Sequence, residues 1–338
     1  MRKFTRALLG AAGATIVAIG VTGCATAASG PADGLNVVTT TTQLHDFALN
    51  LTKGTDAEVT SLFQPGSSVH SFEPTAADLE AIRTADIVVI NGMDLEPWID
   101  DTLASAGFDG TVIDASEGIT PMGTDDDDDD HAVEEDSDHE EHDHAAGNPH
   151  IWTSPANAEI MVQNVADGLE TASADNAATI TSNAEAYEAK LADLDEWIST
   201  SIDQVPAADR LLATNHDALT YYNDAYDITF IGSVMPSWED NAEPSVAEVN
   251  DLVKKIKESG VPAVFTESQL KPTTAEAIAE QAGVKVYSGD DALYTDSLGA
   301  ADSDGATYIS STIHNTEQIL DSWGATVAEV PASLTETN

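Results

Sequence analysis

The 338-residue chain has a single cysteine, Cys24, so it can close no internal disulfide. Basic residues are nearly as scarce: 12 Lys and Arg stand against 60 Asp and Glu, for a formal net charge of −48. That balance disfavours nucleic acid and anionic membrane surfaces as partners and favours cations. The apolar run from Ala7 to Val21 is too short and too rich in small residues for a stable membrane span. A His-Glu-x-x-His pair is absent as well, which removes one common hydrolytic zinc motif. What remains is a chain with 42% apolar residues, enough for a large core and more readily two domains than one.

At the N-terminus, Arg2, Lys3 and Arg6 precede the apolar run, which reads as an export signal over residues 1–23. The run ends in Val21-Thr22-Gly23-Cys24, which resembles the bacterial lipobox, where the chain is cut before the cysteine and the thiol is lipid-modified. The mature protein would then begin at Cys24 with net charge −51, the three basic leader residues being lost. It would sit outside the cell on the outer face of the cytoplasmic membrane, held by its acyl chains behind a flexible tether, residues 24–34. The competing reading is a secreted protein with an incidental cysteine, and an acidic surface also suits a salty environment.

After the tether, β-branched runs alternate with helical patterns, as expected for parallel sheets in an α/β fold. "NVVTTTT" (36–42), "EVTSLF" (58–63), "DIVVING" (86–92) and "TVIDAS" (111–116) read as strands. Thr75 with Asp78 is a capping-box variant opening a helix. From Asn176 to Asp203, Ile180, Ala184, Tyr187, Leu191, Leu194, Ile198 and Ile202 recur every three or four residues with no internal Pro or Gly, and Pro206 follows. A second alternation runs through "RLLATNH" (210–216), "ITFIGS" (228–233), "PAVFTES" (262–268) and "VKVYSG" (284–289), with a capping box at Ser245 and Glu248. The expected fold is two Rossmann-like α/β lobes, residues 35–172 and 206–338, joined by one long backbone helix within residues 173–205. Ligands of such sheets sit beyond the carboxyl ends of the strands, so the interlobe cleft is the expected site.

His70, His150 and His216 lie in strand-to-helix contexts of this pattern, and Asp296 follows the last strand. Any one of them alone would more often be a loop, core or turn residue. The segments "SSVHSFEPTAADLEAIRTADIVVINGMDLEPWID", "NPHIWTSPANA", "TNHDALTYYNDAY", "EDNAEPSVAEVNDLVKKIKESGVPAVFTES" and "YTDSLG" resemble, in order, the metal-binding lipoproteins of bacterial zinc and manganese ABC importers, the ZnuA/TroA-like family. The likeness spans roughly residues 35–325. It implies one divalent metal held between two lobes by His70, His150, His216 and Asp296, an ABC permease as partner, and a monomer without enzymatic activity. Three imidazoles and one carboxylate suit zinc, and a bidentate carboxylate would move the set toward manganese. Val69 stands where several zinc members have Glu, whereas a His-rich acidic insertion is typical of zinc importers.

That insertion, residues 124–147, is followed by Asn148-Pro149-His150-Ile151-Trp152. From Thr124 to Trp152 thirteen carboxylates surround five His, and no Lys or Arg is present. His131, His139, His142 and His144 are candidates for an auxiliary weak zinc site that feeds the cleft, the alternative being a solvated loop with incidental His. Glu267 reads as a hydrogen-bond partner behind a ligand rather than a ligand. His45 and His314 fit helices, in surface or packing roles. The expected function is capture of zinc and delivery to the permease. Alternatives are a manganese-specific component of the same importer type or a surface metal buffer or adhesin; a zinc hydrolase is the disfavoured enzyme reading.

Overall fold

Four Thr in a row, Thr39 to Thr42, divide a strand from a helix. In a computed structural model, which describes residues 34–70, 72–123, 147–235 and 243–335, β1 is Asn36–Thr39 and α1 is Thr42–Leu51. The strand is shorter than the β-branched run because the Thr41 hydroxyl accepts the Leu44 N–H and caps the helix. The same shortening recurs down the chain. β2 is Glu58–Ser61, β3 is Ile87–Ile90 and β4 is Thr111–Asp114.

These four strands form one parallel sheet in the order β2-β1-β3-β4. The helix α2, Ala76–Thr84, opens on the expected box: Thr75 Oγ1 accepts the Asp78 N–H, and Asp78 Oδ2 accepts the Thr75 N–H at 2.8 Å. The next helices are α3, Ile99–Ala106, and α4, Pro155–Ala172, which has Pro at its first position.

The long helix is α5, Ala177–Ile202, 26 residues and about 39 Å at 1.5 Å per residue. All seven apolar positions of its stripe are buried, together with Trp197. Each large side chain so placed contributes about 1.5–3 kcal/mol relative to exposure. The stripe packs on α1 and α4 and, from the second half, on α9 (Tyr308–Ser322). Trp197 Nε1 also donates to the Ala328 carbonyl at 3.1 Å.

In the second half β5 (Leu211–Thr214) pairs in parallel with β6 (Thr229–Ser233), and β7 (Ala263–Phe265) with β8 (Lys285–Tyr287). Among the described residues these are two separate parallel pairs. β5 carries a register shift between Leu212 and Ala213, and β7 and β8 are only three residues long. α6 is Thr220–Ala225, and a small apolar core under α7 (Val246–Ser259) and α8 (Thr273–Ala282) gathers Val234, Leu252, Ile256, Val264 and Ile278. The larger core runs without a break from the first sheet through α5 to Phe265, Tyr287 and Tyr308 of the second half. A short helix α10, Ala332–Thr335, ends the described chain. Among the described residues no helix is long and apolar enough to cross a membrane.

Candidate metal centre

Every predicted donor stands where a strand or loop ends against the gap between the two halves. His216 follows β5 by two residues, in a turn where Thr214 Oγ1 donates to the His216 carbonyl at 2.6 Å. His70 lies in the connection between β2 and α2, with its N–H on Ser68 Oγ at 3.2 Å. His150 immediately precedes a single 3₁₀ turn, Ile151–Thr153, that leads into α4. Asp296 lies beyond β8, after the 3₁₀ turn Gly289–Asp291. It caps no helix.

The four meet at one point. His150 Nε2 is 3.2 Å from His70 Nε2 and 3.3 Å from His216 Nε2. Asp296 Oδ1 is 3.2 Å from Nε2 of both His150 and His216, and Oδ2 is 3.7 Å from His70 Nε2. One donor atom from each of the four lies within 4.8 Å of every other. A regular tetrahedron with edges of about 3.2–3.3 Å, the spacing of His150 Nε2 from the other two Nε2 atoms and of Asp296 Oδ1 from two of them, has its centre about 2.0 Å from each corner, the zinc–imidazole distance. His150, His216 and Asp296 are fully buried, and neither Asp296 oxygen has a well-directed hydrogen bond. A buried carboxylate left so is costly unless a cation faces it.

Partners behind His150 and His216 orient their rings. Asn148 Nδ2 donates to the Asp217 carbonyl at 2.8 Å and to Thr220 Oγ1 at 3.0 Å, which turns Asn148 Oδ1 toward His150. That oxygen can only accept, so His150 Nδ1, 2.7 Å away, carries the proton and Nε2 presents a lone pair to the centre. Glu267 stands behind His216: Oε2 lies at ion-pair distance from Nδ1, 2.5 Å, and Oε1 accepts the His216 N–H at 2.8 Å. Glu267 Oε2 also accepts from Thr295 Oγ1 at 2.6 Å and from Gln269 Nε2 at 3.1 Å.

Burial holds the His150 pKa below its ordinary value, although Asp296 pulls the other way. At His216 burial also opposes charge, but Asp296 and Glu267 outweigh it and carry the imidazole well above its usual range. Burial would raise Asp296, yet the two imidazoles hold it well below the usual carboxylate range. Without a cation, Asp296 and Glu267 thus favour the charged form of His216.

His314 lies apart, buried in α9 with Nε2 at 3.0 Å from the Ala292 carbonyl, and His45 is half-buried in α1. Cys24, His131, His139, His142 and His144 lie outside the described residues. Sequence reasoning did not single out Asn148, whose signal is an Asn placed two residues before a candidate ligand.

Two α/β halves on a shared rigid helix, with donors from both converging in the gap, define a two-lobed solute-binding protein. The chain belongs to the ZnuA family, described as the periplasmic component A of a zinc-uptake complex, which it matches over residues 37–322. It is 31% identical over 303 residues to the iron-binding protein YfeA of Yersinia pestis, covering 88% of this chain and 90% of that one. It is 28% identical over 310 residues to the manganese-binding lipoprotein MntA of Halalkalibacterium halodurans, covering 90% and 95%. The fold is shared with the periplasmic zinc-binding protein TroA of Treponema pallidum at TM-score 0.72 and 24% identity, over 86% of this chain and 99% of that one.

Proposed function

We propose that this chain is an extracytoplasmic metal-capture lipoprotein that takes one divalent transition metal on His70, His150, His216 and Asp296 and passes it to an ABC permease. The observation carrying this reading is the convergence of three Nε2 atoms and a carboxylate within 4.8 Å of one another, from elements of both halves. The metal is cargo. It takes the place of the His216 proton, and the neutral His150 is ready to bind without losing one.

Zinc is the favoured cargo, because three imidazoles with one oxygen make a borderline-soft set and zinc exceeds manganese in affinity for nitrogen-rich sites. A second reading, manganese, is favoured by one feature: both Asp296 oxygens face the donors, so a bidentate carboxylate would raise the coordination number. The continuous core through α5 supports release by a small tilt of the halves rather than wide hinge opening. Cys24 would supply the lipid anchor, and His131, His139, His142 and His144 a weak collecting site for further zinc.

The test is X-ray absorption at the zinc edge on the loaded chain. Three imidazoles and one carboxylate in a four-coordinate shell are expected, with loss of one imidazole in His216→Ala. A shell dominated by water or carboxylates, unchanged by that substitution, would overturn the assignment.

A further inference from the structure

Resting on the metal-capture reading, we propose that the main-chain carbonyl of Thr295, gripped from the opposite half by Gln43 and Trp152, is a latch that sets how long the metal stays bound. Gln43 Nε2 donates to this carbonyl at 3.0 Å and Trp152 Nε1 at 2.9 Å. All three residues are buried, and their partners lie 252 and 143 positions away along the chain. Thr295 immediately precedes Asp296, and its hydroxyl donates to the Glu267 carboxylate that orients His216. One residue therefore connects both second-half donors to the first half.

Neighbouring bonds hold the same loop. Leu298 N–H donates to Thr42 Oγ1 at 2.9 Å, and Gly66 N–H, in the loop that carries His70, donates to Ser297 Oγ at 2.8 Å. Trp152 follows His150 by two residues, and their rings meet edge to face with centroids 5.2 Å apart. A tilt of the halves that draws the Asp296 loop away from His150 breaks the two bonds at the Thr295 carbonyl. A cavity of about 20 Å³ lined by Gln43, Trp152, Thr295, Tyr222, Tyr308 and Asn315 adjoins it, room for one water that could take over the carbonyl once the donors part.

The two donors share one acceptor, so their removal should not be additive. After Gln43→Met or Trp152→Phe alone, the carbonyl keeps one partner. After both, it is a buried acceptor with none in the closed state, while the open state hydrates it. Metal dissociation is followed by stopped-flow against an excess of zinc chelator, and association separately, on the full chain. Each single variant is expected to dissociate about threefold faster and the double variant on the order of thirtyfold faster, beyond the product of the singles, with association unchanged.

A double variant no faster than either single one, or an affinity loss carried by the association rate, would overturn the latch. Hydrogen exchange of residues 293–298 in the metal-free chain is the second readout, because these bonds do not need the metal. Faster exchange in the double variant is expected, and equal exchange would overturn the latch even if zinc binds. A wild-type chain that takes up no zinc would overturn the capture reading instead, and with it any role in residence time.

Discussion

Replacing Glu267 by Gln keeps the shape of the side chain and removes its charge and half of its acceptors. The carboxylate faces three hydrogen-bond donors, the His216 N–H on one oxygen and Thr295 Oγ1 and Gln269 Nε2 around the other, with His216 Nδ1 at ion-pair distance. A glutamine has one oxygen to offer. If it faces the crowded side, its amide N–H₂ meets the His216 N–H, donor against donor. If it faces the main chain, the Thr295 hydroxyl and the Gln269 amide lose their acceptor. Leaving one buried donor unpaired costs about 1–3 kcal/mol, and loss of a carboxylate behind a ligating His lowers metal affinity about 10–100-fold. The two routes agree in size. Zinc affinity of Glu267→Gln, measured by competition with a chelator of known affinity, is therefore expected to fall 10–100-fold while circular dichroism stays native. Affinity within a factor of two of wild type would refute the claim that Glu267 holds His216 for binding.

Three other outcomes follow from the same structure. Because the two carboxylates hold a proton on His216, zinc uptake at pH 7 should release about one proton, read as a linear dependence of calorimetric heat on buffer ionisation enthalpy, and affinity should fall as pH drops; zero release would contradict the raised His216. Burial pushes Glu96 up to about 7, against hydrogen bonds from Thr40, Asn91 and Gly92. The folded chain thus binds the extra proton between the unfolded value near 4.5 and 7, so stability should decline by up to about 3 kcal/mol as pH rises through that window and level off above it; urea melts of Glu96→Gln should lack this slope. Leu191→Ala, in the fully buried stripe of α5, should cost about 2–5 kcal/mol in urea melts, and a cost under 1 kcal/mol would show that the helix does not tie the core together.

The sequence made the three His and the long helix legible for separable physical reasons. Helical periodicity from Ile180 to Ile202 is a local property, and the structure buries every residue of that stripe. His70, His150 and His216 stood out because strand ends in parallel α/β folds face a common edge. Asp296 was different. Taken alone, "YTDSLG" reads equally well as a turn, and only the family resemblance brought it to the centre. Strand lengths were overestimated at Thr40 and Thr41, since β-branched residues favour strands while a threonine hydroxyl can instead cap a helix. Asn148, Gln43, Trp152 and Thr295 act through single hydrogen bonds between segments far apart in sequence, and no pattern within either segment encodes that pairing.

The most direct test of metal capture at this site is native mass spectrometry of the chain without residues 1–24, loaded with zinc and manganese in competition. It would be run beside a variant lacking residues 125–144 and the double variant His70→Ala with His216→Ala. One tightly held zinc that survives the deletion and disappears in the double variant is the predicted result. Tight binding that persists in the double variant would contradict the assignment of the site.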